Sequence, residues 1–195
     1  MEQFRNEMRV SKRSKKLENV DFNKILKRIK TVGGEFNIKV GFSQLCLKVI
    51  DQLYDGISTT EIDDLMAKQC ASLAIDHPDY GKLASALSVS NLHKNTSPSL
   101  YDTMKMMYDN NDFDGNHSPL VNKEFFDYVE ANKEELESLI IMNNDYKLDF
   151  FGLKTLEKSY LTRIDKKIVE RPQYLWLKVA TAIHLGDIES IKETY

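Results

Sequence analysis

Apolar residues recur along most of this chain at helical spacing. Residues 8–20 are the first exception: partial alternation of apolar and polar positions around the polar Ser14-Lys15-Lys16 predicts a β-hairpin. Behind it, Asp21 is placed to cap a helix whose Phe22, Ile25, Leu26 and Ile29 fall at i, i+3, i+4 and i+7, and Gly33-Gly34 is the expected stop. A second helix is predicted over 43–54, with Leu45, Cys46, Val49, Ile50 and Leu53 inward and Gly56 ending it. Ser58-Thr59-Thr60-Glu61 has the form of a capping box, in which the first side chain and the fourth satisfy each other's backbone N–H groups. The helix it opens carries Ile62, Leu65, Met66 and Leu73. His77-Pro78-Asp79-Tyr80 breaks that helix and begins a fourth, because proline is tolerated in a first helical turn; Tyr80, Leu83, Ala84 and Leu87 form its stripe, and it ends near His93-Lys94.

Four single-striped helices can close a bundle, with the hairpin capping one end. Ser97-Pro98-Ser99 is the natural linker after them. Beyond it the pattern stays helical through Leu100, Met104, Met107 and Tyr108, then Phe125, Phe126 and Val129, then Leu136, Leu139 and Ile140, with a polar loop at 110–116. Residues 144–169 are ambiguous between short helix and extended pieces. Arg171-Pro172 opens a helix with Leu175, Trp176, Val179 and Ile183 on one face, Gly186 ends it, and Asp187 caps the last helix. There Ile188, Ile191 and Tyr195 form a stripe that calls for a partner in another chain or segment, the alternative being a short amphipathic tail that packs back on its own domain. The expected fold is mainly α: residues 1–7 as a tail, 8–96 as a four-helix bundle with a small antiparallel β-hairpin, and 97–195 as a second helical segment.

Composition narrows the function. With 195 residues, 42% hydrophobic and 29% charged, the chain is globular and long enough to bury a core. The net charge of -3 argues against a nucleic-acid binder. Charge is uneven: residues 1–30 hold 10 Lys/Arg against 4 Asp/Glu, and the rest hold 17 against 26. A basic end on an acidic body fits either an anion site or a solvated basic arm. Cys46 and Cys70 stand in apolar helical patterns without CxxC spacing, so buried free thiols in a reducing compartment, the cytoplasm, are expected. No stretch resembles a secretion signal or a membrane span.

Local chemistry is sparse. His77, His93, His117 and His184 lack metal-ligand spacing, so no metal site is expected, and no residue pattern marks a nucleophile. Asp63-Asp64 reads as a solvated helix face. One constellation remains. Lys12 and Arg13 lie on the hairpin, Glu18 to Lys24 run into a helix start, Thr59 stands at another helix start and Asp63 one turn in. Cations beside helix N-termini suit a triphosphate, and Thr59 and Asp63 offer hydrogen bonds to a sugar or base; surface charges and ordinary caps give the same pattern.

The residues also carry a resemblance. Val10-Ser11-Lys12-Arg13, Phe22-Asn23-Lys24-Ile25 to Arg28-Ile29, and Leu53 to Asp63 resemble an ATP-cone domain. His77-Pro78-Asp79-Tyr80, Ser90-Asn91-Leu92-His93-Lys94, Phe150 to Leu161 and Val169-Glu170-Arg171-Pro172-Gln173 are similar to the large subunit of class I ribonucleotide reductases of the eukaryotic and viral type, in the family's order across about residues 9–195. The resemblance implies an N-terminal regulatory part of an enzyme that reduces ribonucleoside diphosphates for DNA synthesis. Its effector would be ATP or dATP, with Mg²⁺ able to accompany the phosphates and no covalently held cofactor. On matching positions the nucleotide contacts fall to Lys12, Arg13, Glu18, Asn19, Val20, Asp21, Phe22, Asn23, Lys24, Thr59, Asp63 and Lys94. Partners implied are the remainder of the large chain, a radical-bearing small subunit and further copies in a homo-oligomer, with neither nucleic acid nor membrane.

Two features depart from the family pattern: Ser14-Lys15 replaces the usual Asp-Gly turn, and Asn23 stands where Asp is common. The catalytic barrel and active-site cysteines have no counterpart in the sequence, so no catalytic residue is assigned and no turnover is expected from this polypeptide alone. Alternatives are a free-standing nucleotide sensor or interaction module and an inactive gene fragment.

Overall fold

The computed structural model describes residues 8–195, and the tail at 1–7 lies outside them. It is mainly α and divides into two compact units: residues up to Asn91 together with Leu148–Leu153, and Leu92–Lys147 with Lys154–Tyr195.

In the first unit β1 (Arg9–Ser11) pairs antiparallel with β2 (Leu17–Asn19), Arg9 opposite Asn19 and Ser11 opposite Leu17. The turn closes without glycine. The Lys15 N–H donates to the Lys12 carbonyl at 2.8 Å, the Lys12 N–H donates to the Lys16 carbonyl at 2.8 Å, and Lys15 takes φ 64°. This is the three-residue hairpin, a tight turn followed by one left-handed residue, which a lysine occupies at some steric cost.

Four helices follow: α1 (Phe22–Glu35), α2 (Phe42–Ile50), α3 (Thr59–Ser72) and α4 (Pro78–Asn95). Their inward residues include Ile25, Ile29, Leu45, Val49, Met66, Cys70, Leu83 and Leu87, as the stripes predict. Gly33-Gly34, however, does not stop α1. The helix runs on to Glu35, and the left-handed residue past its end is Asn37, φ 51°. Gly33 serves packing instead: a Cβ there would stand 2.6 Å from the Phe42 ring. The capping box before α3 is complete, with the Glu61 N–H donating to Ser58 Oγ at 3.1 Å and the Ser58 N–H donating to Glu61 Oε2 at 2.9 Å.

In the second unit α5 (Leu100–Tyr108), α6 (Lys123–Ala131) and α7 (Lys133–Leu139) pack around Met104, Met107, Phe126, Val129 and Leu136. The ambiguous stretch resolves into a 3₁₀ helix (Met142–Lys147), α8 (Phe150–Ser159, beginning in the first unit) and a two-residue hairpin of β3 (Arg163–Ile164) and β4 (Lys167–Ile168). Then come α9 (Pro172–Ile183) and α10 (Ile188–Thr194).

Two expectations are corrected here. The face of α9 that goes inward is Gln173, Tyr174, Leu177, Ala180 and Thr181, while Trp176, Val179 and Ile183 are 38%, 46% and 64% exposed. Polar side chains set that orientation. Asp145, fully buried, accepts the Gln173 N–H at 3.2 Å and bonds His93 Nε2 at 2.7 Å. The buried Arg171 donates to the carbonyls of His93 and Thr96 at 3.0 and 3.1 Å, at the end of α4. Lys178 turns inward to Glu170, 2.7 Å away. The stripe on α10, expected to need a partner from outside, is covered within this unit. Gly186, φ 92°, folds α10 back onto α9, Ile191 is fully buried, and the Tyr195 hydroxyl donates to Gln173 Oε1 at 2.5 Å.

Ile191→Ala is therefore expected to cost about 2–5 kcal/mol, the range for emptying a closed aliphatic site. Urea unfolding followed by the fluorescence of Trp176, the single tryptophan, measures it. An unchanged midpoint would mean that α10 does not close this core.

Candidate functional site

The hairpin is held against the start of α3. The Ser11 N–H donates to the Ile57 carbonyl at 2.9 Å, the Gly56 N–H donates to the Arg9 carbonyl at 2.8 Å, and Ser11 and Ser58 form a parallel bridge. The segment before α3 thus acts as a third, very short strand. Lys12 and Arg13, which follow Ser11 directly, are carried to the N-terminus of α3, where Thr59 is the first helical residue.

The same hairpin abuts the start of α1. Glu18 on β2 lies 3.2 Å from Lys12 Nζ and 3.6 Å from Lys24 Nζ in the first turn of α1. The hydrogen bond from Lys12, ahead of the surrounding lysine charges, holds the Glu18 carboxyl below the ordinary carboxylate range. Asn19 is the strand partner of Arg9, and the Val20 N–H donates to the Met8 carbonyl at 2.9 Å. Asp21 is the N-cap, accepting the Asn23 N–H at 2.9 Å, and Phe22 and Asn23 are the first helical residues. Two helix N-termini, each with its partial positive charge, therefore meet one basic hairpin.

Asp63 departs from the solvated face expected of Asp63-Asp64. It is 4% exposed, on the inward side of α3. Arg13 Nη2 donates to its Oδ2 at 3.1 Å, and Arg28 Nε to its Oδ1 at 3.2 Å. Arg13 Nη2 also donates to Asn91 Oδ1 at 2.7 Å and Arg28 Nη2 to Ser90 Oγ at 2.9 Å, while the Asn91 amide donates to the Thr60 carbonyl at 3.1 Å. Both oxygens of the carboxyl group thereby accept charge-assisted hydrogen bonds, which offset the cost of burying it. Arg28, Ser90 and Asn91 were missed as site residues. The signal for Arg28 is its position between Ile25 and Ile29: a cation beside a buried stripe needs an anion from another helix.

Of the twelve predicted positions, eleven gather around this hairpin and the two helix starts. Lys94 does not join that description: it is exposed near the end of α4 and belongs to the second unit. Cys46 and Cys70 are buried free thiols, and burial raises both, Cys70 to about 12, which leaves them poor nucleophiles at neutral pH. Among the described residues no group of three or more His, Cys, Asp or Glu is placed to hold a metal ion, and no helix is long and apolar enough to cross a membrane.

The chain is similar to known proteins along most of its length. Residues 8–95 match the family described as ATP cone domain, and residues 146–195 match that described as ribonucleotide reductase, all-alpha domain. Over 188 residues the chain is 42% identical to the ribonucleoside-diphosphate reductase large chain of Cryptosporidium parvum, covering 96% of this chain and 23% of that one. The large subunit of Danio rerio is 43% identical over 190 residues, with coverage of 96% and 24%. That of Variola virus is 42% identical over 190 residues, with coverage of 96% and 25%. The chain spans about a quarter of the length of these relatives. By these matches it belongs with the N-terminal part of the ribonucleoside-diphosphate reductase large subunits, an ATP cone followed by the all-alpha domain.

Proposed function

We propose that this chain is the regulatory N-terminal part of a ribonucleoside-diphosphate reductase, with ATP or dATP bound at the hairpin as allosteric effector. The observation that carries the proposal is the meeting of Lys12 and Arg13 with the first turns of α1 and α3. A triphosphate is stabilised by cations and by the partial positive charge of helix N-termini, and the first unit brings both to one hairpin. Lys12, Lys24 and Arg13 are the phosphate donors in this reading, and Mg²⁺ enters with the nucleotide rather than on a protein ligand set. Val20, Phe22 and the backbone of 19–23 line the approach to the base, and Thr59 supplies a hydroxyl. Lys94 contributes only if the end of α4 reaches the ligand.

Catalysis belongs to the segments that the relatives have and this chain does not match. The proposed partners are accordingly the remainder of a large chain, a radical-bearing small subunit and further copies of the assembled enzyme. The second unit supports the first of these. Helix α9 is apolar nearly all round, its one charged residue, Lys178, faces inward, and Trp176, Val179 and Ile183 stay exposed. An apolar face left exposed on such a helix marks a surface that another segment covers. A reducing compartment, the cytoplasm, fits two buried free thiols.

Isothermal titration is expected to detect ATP and dATP binding that weakens with added salt, and Lys12→Ala is expected to weaken it roughly tenfold, the loss of one charge-assisted hydrogen bond. No heat at millimolar nucleotide would overturn the site. Mixing the chain with a polypeptide carrying the unmatched part of the Danio rerio large subunit is expected to blue-shift Trp176 emission and lower its quenching by iodide. Unchanged quenching would remove α9 as the docking face, and diphosphate reduction on adding the small subunit would distinguish a working enzyme part from a free-standing sensor.

A further inference from the structure

The two arginines on Asp63 differ in how they are held. Arg28 projects from the middle of α1, its side chain 19% exposed, and it grips Asp63 Oδ1 through Nε and Ser90 Oγ through Nη2. Its backbone is fixed by helix hydrogen bonds on both sides. Arg13 projects from the hairpin loop, its side chain 31% exposed, and both of its hydrogen bonds to Asp63 and Asn91 run through Nη2. Asp63 lies on α3 and Asn91 on α4, and the Asn91 amide is anchored to the Thr60 carbonyl. Arg13 thus reaches Asp63 from a loop and is the more exposed of the two guanidinium groups.

A phosphoryl oxygen that binds beside Lys12 competes with Asp63 for Arg13. Whether Arg13 can leave depends on what then balances a carboxylate that is only 4% exposed. Stripping the counter-ion from a buried charge is costly, whereas a carboxylate that keeps one guanidinium tolerates the loss of a second. From these contacts we infer that Arg28 is a positioning residue: by carrying the charge of Asp63 it releases Arg13 to exchange that carboxylate for a phosphoryl oxygen of the bound nucleotide. This rests on the effector site proposed above and names the device that makes its cation available. No covalent bond changes; one charge-assisted hydrogen bond replaces another.

A merely structural Arg28 and a positioning Arg28 give different double-mutant cycles. The test is isothermal titration of the full chain with ATP, and separately with inorganic tripolyphosphate, which has no sugar or base to touch Asp63. Arg13→Ala is expected to weaken binding about tenfold in the wild-type background. Arg28→Gln alone is expected to weaken it to a similar extent, because more of the Asp63 charge then falls to Arg13 and holds it there. Adding Arg13→Ala to Arg28→Gln is expected to change affinity less than about twofold, since Arg13 is already withdrawn. Arg28→Lys, which keeps a cation at Asp63, is expected to preserve the full dependence on Arg13; it serves as the second background if Arg28→Gln, checked by circular dichroism, is unfolded. If Arg13→Ala costs the same factor in the Arg28→Gln background as in the wild type, or if Arg28→Gln binds like the wild type, the inference is wrong. If folded Arg28→Lys loses the dependence on Arg13, charge at Asp63 is not what matters, and that too overturns it. A wild-type chain that binds neither ligand instead removes the effector site, and this inference with it.

Discussion

A carboxylate placed on the inward face of α3 imposes most of the local order of the first unit. Asp63 is nearly fully buried, so its oxygens must be met by donors from the protein. Arg28 comes from α1 and Arg13 from the hairpin, while Ser90 and Asn91 on α4 accept further hydrogen bonds from those guanidinium groups. One side chain therefore fixes the relation of three helices and a β-turn. The apolar stripes alone leave helices free to rotate by a fraction of a turn, because non-directional burial is satisfied by many packings. Directional hydrogen bonds to a buried ion remove that freedom.

The second unit reaches the same end with different chemistry. The start of α9 is set by Glu170, Arg171 and Gln173, each buried and each hydrogen-bonded to segments outside the helix. Arg171 binds carbonyls at the end of α4, where the helix leaves acceptors without internal partners. Once these three residues are fixed, the rest of α9 has its rotation chosen. Leu177 and Ala180 go to the core with Ile191, and Trp176, Val179 and Ile183 stay out.

What the sequence discloses and what it hides follows from this division. Single-striped helices are legible: the inward residues of α1 to α7 come from 3.6-residue spacing, and the Ser58–Glu61 box and the Asp187 cap come from local side-chain chemistry. Features decided by tertiary contact are not. Gly33 looks like a helix stop because glycine commonly is one, yet its missing side chain makes room for the Phe42 ring nine residues on. Helix α9 has two apolar faces, so periodicity cannot choose between them, and the choice passes to Arg171 and Lys178, whose partners lie elsewhere in the chain. The α10 stripe looks unpartnered because its own spacing does not reveal that the chain turns at Gly186 and brings it back onto α9. Around the hairpin, the basic residues and helix starts are legible as a candidate anion site, but Arg28 is not, since nothing local reveals which carboxylate an arginine in a buried stripe will meet.

Burying Asp63 with two arginines contributes little that a packed apolar core would not. Replacing such ionic clusters by well-packed hydrophobic residues is often neutral or stabilising, so stability alone gives weak reason for this arrangement. The cluster has a property an apolar core lacks: its charge balance is altered when an anion arrives at its exposed edge. Two cations share one carboxylate, leaving the group formally positive on the side that carries Lys12 and Lys24. The basic first 30 residues of an otherwise acidic chain supply that excess. Under the exchange proposed for Arg13, a phosphate would be sensed by a change of partners at a cluster whose hydrogen bonds span α1, α3 and α4. On that proposal, the cost of the buried charge would couple the hairpin to the bundle.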